Sequence, residues 1–348
     1  MPSWDDTRDT MHLASTDTEI QADEAAGQVT AGPAGPDPYP ASGPGEGPGA
    51  APGTGPGAGS AAHSAAHSAA HSAARSAAAV ADELVGLTDQ LSALESLAPG
   101  PDVNRLFSAV VRTVTTTPPP VARVVRTHPG VSARTGRLRE LSARGESALE
   151  AHWSRRIATA SDPGAELRRF PYGDNYRDLV AMELRLLRRH LGPQVPRSVV
   201  VLGCGPLPLT ATGYARGLGT RSVAVDHDPA AVAAARRFLD ATREAAGSTR
   251  EAGTVVVHDD AHRVPLREHD VVVLAALVGT TATAKTAVLR SLAARMRPET
   301  LLLARSAHGL RALLYPEIDP STMSGFEVLD VKHPAGDVIN SMIVARRV

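Results

Sequence analysis

Arg197–Thr210 reads RSVVVLGCGPLPLT. A β-branched apolar run ends in Gly203-Cys204-Gly205-Pro206, and LPLTATGYARGLG continues from it with helical character. A strand passing through a glycine turn into a helix brings bare backbone and a helix N-terminus to one point, which suits a ligand bearing negative charge. Gly203, Gly205 and Pro206 are therefore candidate cofactor contacts. The third glycine of the dinucleotide fingerprint is missing, so the turn by itself does not specify a nicotinamide cofactor.

Outward from this turn, short β-branched runs alternate with helical stretches: RSVVVL, TRSVAV, GTVVV, HDVVVLAAL, ETLLLAR, GFEVLDV and NSMIVA. Alternation of this kind predicts an α/β domain with a mostly parallel sheet and helices on both faces. The second strand ends in Asp226, where a carboxylate can accept ribose hydroxyls, and Asp260 follows the third, where an acid can meet an adenine amino group. Either aspartate could instead cap a helix, although Asp228 before Pro229 is the better cap. A glycine turn with acids after successive strands resembles the class I S-adenosylmethionine-dependent transferases, a Rossmann-like fold.

Upstream the pattern is helical. Val80, Leu84, Leu87, Leu91 and Leu94 recur at helical spacing, and a second helix is expected over about 103–114, stopped by Pro118-Pro119-Pro120. Longer helices are expected over about 135–159 and 176–191. Residues 31–59 are too rich in Pro and Gly to bury a core. The expected organisation is a disordered low-complexity tail over 1–78, a small helical domain over 79–192 and the Rossmann-like domain over 193–348. In the AAHS repeat, His63, His67 and His71 fall four apart, with Arg75 next in register. A helix would align them as a metal stripe, but the composition favours plain low complexity.

The bulk numbers narrow the partners. The 348 residues carry a formal net charge of -1, with 21% charged residues, which offers no excess for nucleic acid or an anionic membrane. The opening MPSWDDTRDT has acids where a signal peptide needs bases, and VVVLAALV is too short to span a bilayer, so a cytoplasmic protein is expected. Cys204 is the single cysteine, which excludes an internal disulfide. A small molecule is the expected partner.

Several longer strings resemble the nicotianamine synthases. They are LESLAPGPDVNRLF (Leu94 to Phe107), LEAHWS (Leu149 to Ser154), FPYGDNY (Phe170 to Tyr176) and GCGPLPLT (Gly203 to Thr210). LAALVG (Leu274 to Gly279), RSAHGLRALLYP (Arg305 to Pro316) and HPAGDVINSMIVAR (His333 to Arg346) continue in the family's order. The resemblance covers roughly residues 80–348 and implies S-adenosylmethionine as co-substrate. An amine would attack the γ-methylene of the methionyl arm, taking the 3-amino-3-carboxypropyl group and releasing 5′-methylthioadenosine, without a metal. It also implies Glu150 as the base and Tyr176 as its assistant, with Tyr172 as the second tyrosine of the acceptor site. Gly173 stands where the family usually carries an aromatic residue, so a single transfer is as open as several.

Periodicity alone points one turn earlier, because Glu146 falls in the stripe of Leu149, Trp153 and Ile157 while Glu150 lies at its edge. Both are kept as catalytic candidates, and their repulsion would raise the pKa of one. Arg305 closes the fifth strand and would bind a substrate carboxylate or form a structural ion pair. Asn340 reads as a turn residue and His333 as a hydrogen-bonded neighbour. The acceptor stays open among S-adenosylmethionine itself, glutamate and histidine. The other readings are an ordinary methyltransferase and a non-enzymatic cofactor- or metal-binding protein. The Arg- and Ala-rich composition suggests a bacterial setting in which an opine-type dehydrogenase takes the product.

Overall fold

The seven apolar segments expected to be strands all form strands of one sheet. In the computed structural model, which describes residues 58–193, 195–246, 253–334, 336 and 338–348, they are β1 (Ser198–Leu202), β2 (Arg221–Asp226), β3 (Thr254–His258), β4 (Val271–Leu274), β5 (Leu301–Ser306), β6 (Phe326–Lys332) and β7 (Ser341–Arg347). Their order is β3-β2-β1-β4-β5-β7-β6, with β1 to β5 parallel and β7 antiparallel to both β5 and β6. Every residue of β1 and β4 is buried, as a strand covered on both faces requires. One face packs Val199, Val201, Val273, Leu303 and Val344 beneath helices α4 (Pro129–Ala158), α6 (Gly173–Arg188), α7 (Leu209–Leu218) and α8 (Pro229–Ala246). The other packs Val200, Leu202, Val272 and Leu302 beneath α9 (Ala282–Arg295).

A second core lies upstream, where α1 (Ala58–Ala93), α2 (Pro101–Thr116) and α3 (Pro119–Thr127) enclose Leu84, Leu91, Val110, Val125 and Leu138. α4 belongs to both cores. Its N-terminal half gives Val131, Leu138 and Leu141 to the helical core, and its C-terminal half gives Trp153 and Ile157 to the sheet core.

The helical region departs from expectation at four points. The tail was expected to reach residue 78, but α1 begins at Ala58, and Ala77 and Ala81 are buried. Alanine is the best helix former, so a run of it extends a helix already packed downstream. Residues 1–57 and the side chains of His63, His67 and His71 lie outside the described residues. The proline run does not only stop α2, because Pro119 occupies the first turn of α3, where its missing N–H would have had no partner. Pro129 opens α4 in the same way, earlier than the expected start near 135. α5 (Pro163–Arg168) was not anticipated. No helix among the described residues is long and apolar enough to cross a membrane.

At the N-terminal edge of the sheet, Asp270 gathers three segments. Its carboxylate accepts from the Arg197 backbone N at 2.7 Å and from Arg197 Nη2 at 3.0 Å before β1, and from Arg297 Nη2 at 2.6 Å before β5. The Arg197 hydrogen bond holds its pKa down at about 2, below the ordinary 3.8. A depressed folded-state pKa contributes stability above the unfolded value and loses it as pH falls through about 2. Asp270→Asn should therefore destabilise the fold by about 1–2 kcal/mol at pH 7 in chemical denaturation. The difference from wild type should shrink at about pH 2.

Candidate active site

The glycine turn after β1 is held to the end of β2. Gly203 N and Cys204 N both donate to Val225 O, at 2.8 and 3.0 Å, and Gly205 N donates to Asp226 Oδ2 at 2.9 Å. Gly203 and Gly205 have φ of 80° and 63°, a region that favours glycine. Both also lack room for a side chain, since Val278 fills the space at Gly203 and the Glu150 carboxylate fills it at Gly205. Pro206 is buried, and the N-cap residue of the α7 that follows, Pro208, makes no side-chain cap.

Asp226 is 9% exposed and accepts from Asp228 N with its other oxygen at 3.0 Å. A carboxylate offers about four acceptor positions, so ribose hydroxyls can still be bound. Asp228 accepts from Ala230 N at 2.8 Å in the first turn of α8, as expected of a cap. Asp260 accepts from His262 N at 2.7 Å, so one of its oxygens serves the turn after β3.

α4 presents Glu150 to this turn from the opposite side. Glu150 is 8% exposed, its Oε2 lies over Gly205, and its Oε1 accepts a hydrogen bond from the Tyr176 hydroxyl of α6. Burial, then the neighbouring Glu146 charge, push its pKa up to about 8. Tyr176 is itself pushed well above its usual value by burial and by the two glutamates, so its hydroxyl stays protonated and donates. One turn earlier, Glu146 accepts from the Tyr315 hydroxyl at 2.6 Å and is raised by burial. Two carboxylate–tyrosine pairs thus stand side by side on α4. Tyr172 is half-buried, with its ring edge-on to Phe170 at 6.1 Å, and burial and the Glu146 charge raise its pKa. Phe170 also contacts Trp153 at 5.6 Å and Tyr176 at 6.0 Å, which fixes α6 against α4. A Cβ at Gly173, in the first turn of α6, would make an ordinary van der Waals contact with Arg177 Nη1 at 3.6 Å.

Around the glycine turn the structure brings together Gly205, Asp226, Glu150, Tyr176 and Glu146. Arg305 is 7% exposed and its fork is engaged: Nε donates to Glu183 Oε1 at 2.7 Å, and Nη2 donates to Glu183 Oε2 at 3.1 Å and Thr210 Oγ1 at 3.0 Å. Tyr214 adds a 3.1 Å bond to the same carboxylate. A buried arginine needs a carboxylate, and Glu183 on α6 supplies it, which is the ion-pair arrangement, one of the two expectations for this residue. Arg305 still acts on the site, because its charge draws both Glu146 and Glu150 downward in pKa. Asn340, just before β7, is also buried, and its Nδ2 meets no hydrogen-bond partner among the described residues. His333 accepts or donates at Nδ1 to Ser341 Oγ at 2.9 Å, the neighbour role expected of it.

Sequence reasoning missed Tyr315. It sits in the RSAHGLRALLYP string, but nothing local pairs it with Glu146, 169 positions earlier. It also missed Lys285, a buried lysine in an alanine-rich helix that reads as a surface residue.

The sequence model of the nicotianamine synthase protein family matches residues 73–348. Nicotianamine synthase of Solanum lycopersicum is 36% identical over 272 residues, spanning 77% of this chain and 83% of the relative. Nicotianamine synthase 3 of Oryza sativa subsp. indica is 38% identical over 277 residues, spanning 77% and 78%. Among solved structures, a Glu-to-Gln variant of MtNAS in complex with S-adenosylmethionine superposes with a TM-score of 0.65 at 22% identity, over 77% of this chain and 97% of that one. MtNAS in complex with MTA and tNA gives the same TM-score, 0.65. These structures share the fold, and the sequence matches go further: this chain belongs to the nicotianamine synthase family.

Proposed function

We propose that the protein transfers the 3-amino-3-carboxypropyl group of S-adenosylmethionine to an amine, giving nicotianamine or a related metallophore. The observation that carries this is Glu150, buried against the glycine turn and hydrogen-bonded by Tyr176. Gly203, Gly205 and Pro206 line the cofactor, the uncapped start of α7 faces the methionyl carboxylate, Asp226 takes the ribose and Asp260 the adenine. The amine nitrogen attacks the γ-carbon, the carbon–sulfur bond breaks with its electrons going to sulfur, and 5′-methylthioadenosine leaves as a neutral thioether. Sulfonium is its own leaving group, so the step draws on no metal. The proton lost by the nitrogen passes to Glu150, while Tyr176 holds the carboxylate in place and Tyr172 borders the acceptor. Glu146 tunes Glu150 and balances the positive charge that develops on nitrogen. A cytoplasmic location fits a small-molecule cosubstrate of this kind, and an opine-type dehydrogenase is a fitting consumer of the product.

A base with a pKa raised to about 8 is mostly protonated at neutral pH, so kcat/KM for 5′-methylthioadenosine release should climb with pH and level off above about 8. Glu150→Gln should lower kcat/KM by about 10²–10⁴ and abolish that limb, whereas Tyr176→Phe should cost about tenfold. Full activity in the Glu150→Gln variant would sink the assignment.

Glu146→Gln removes a negative charge that pushes Glu150 up, so the acid limb should move to lower pH. An unmoved limb in the same titration would show that Glu146 does not act on the base.

A further inference from the structure

Lys285 lies outside the carboxylate cluster, and the proposed reaction does not use it. It is 1% exposed, in the first turn of α9. Its ammonium donates to Ala275 O at 3.2 Å and Ala276 O at 2.8 Å and pairs with no carboxylate of the described residues. The position is unfavourable on three counts. A buried cation without an anion loses hydration, carbonyls compensate only in part, and the N-terminus of a helix repels positive charge. Burial lowers its pKa from 10.5 to about 7. An apolar side chain of similar length would fit the same space at lower cost, so stability does not explain a lysine here.

What the ammonium holds is informative. Ala275 and Ala276 begin the segment that joins β4 to α9, and Ala275 N donates to Leu202 O, the last residue of β1, at 3.0 Å. Val278 N turns back to Ala275 O at 3.3 Å. Gly279, with φ of 76°, then stacks its backbone against that of Lys285, where any Cβ would lie 2.8 Å from Lys285 N. The segment is thus a closed loop, joined at one end by Gly279 on the Lys285 backbone and at the other by the Lys285 side chain. Its outward wall is Val278 and Ala275, the two side chains that fill the space beside Gly203. Gly203 opens the turn that carries Gly205, against which Glu150 rests.

We infer that Lys285 is a positioning residue for S-adenosylmethionine. By stapling the loop after β4 it presses Val278 and Ala275 onto Gly203 and so fixes the shape of the turn that receives the cofactor. This rests on the proposal that the turn binds S-adenosylmethionine.

The test is calorimetric titration of the full chain with S-adenosylmethionine, alongside steady-state kinetics. Lys285→Met should weaken cofactor binding at least about tenfold and raise its KM in parallel. With an amine other than S-adenosylmethionine as acceptor, its KM at saturating cofactor should stay within about twofold of wild type, a split that general loss of folding would not produce. Lys285→Gln, which can still donate to a carbonyl, should recover most of the affinity. Val278→Ala leaves the staple and removes its wall, so it should weaken binding as well, and the double variant should be no weaker than the worse single one. Wild-type affinity in a folded Lys285→Met chain would overturn the inference while leaving the proposed reaction intact. If Lys285→Met does not fold, wild-type affinity in Val278→Ala overturns it instead. A wild-type chain that binds no S-adenosylmethionine overturns both.

Discussion

Glu150 and Gly205 occupy one another's space, and the rest of the site follows from that contact. The carboxylate can lie over the turn because position 205 has no side chain, and the turn can take its φ of 63° for the same reason. Delivering Glu150 there requires α4 to be long enough to leave the helical core at Leu141 and enter the sheet core at Trp153. The glutamates sit on the stretch between the two cores. There the helix is flanked by α6 on one side, through Tyr176, and by the segment after β5 on the other, through Tyr315. The upstream helices are therefore part of the active site's frame and not an appendage to a cofactor domain.

The electrostatics follow from the same enclosure. Buried acids next to one another resist ionisation, and each is kept in place by a tyrosine hydroxyl that burial prevents from losing its proton. Arg305 supplies the nearby positive charge but is committed to Glu183, so it moderates the glutamates without neutralising them. The result is a carboxylate poised near the pKa of the amine it is to deprotonate, beside the position a sulfonium would take. Attack on the methylene carbon then depends on which carbon of the sulfonium faces the acceptor, a matter of geometry more than of charge.

Much of this was legible in the sequence because the signals are local. β-Branched runs between glycine and proline punctuation marked all seven strands, and Asp226 followed from its place at a strand end. The glycine turn was clear for the same reason. Prolines misled the reading of the helical region, since the same residue ends one helix and begins the next, as Pro119 and Pro129 do. The helical wheel favoured Glu146, yet Glu150 is the more buried, because the glycine turn packs onto α4 from outside the stripe of Leu149 and Trp153. Arg305, Tyr315 and Lys285 take their roles from partners on other elements, and no periodicity of their own segments encodes those partners.

The most direct test of aminocarboxypropyl transfer is mass spectrometry of the products formed from S-adenosylmethionine with a pool of amines that includes glutamate and histidine. The expected result is 5′-methylthioadenosine together with an acceptor heavier by one or more aminocarboxypropyl units. S-adenosylhomocysteine with a methylated acceptor would contradict it, and would mean that the buried Glu150 serves methyl transfer on the same fold.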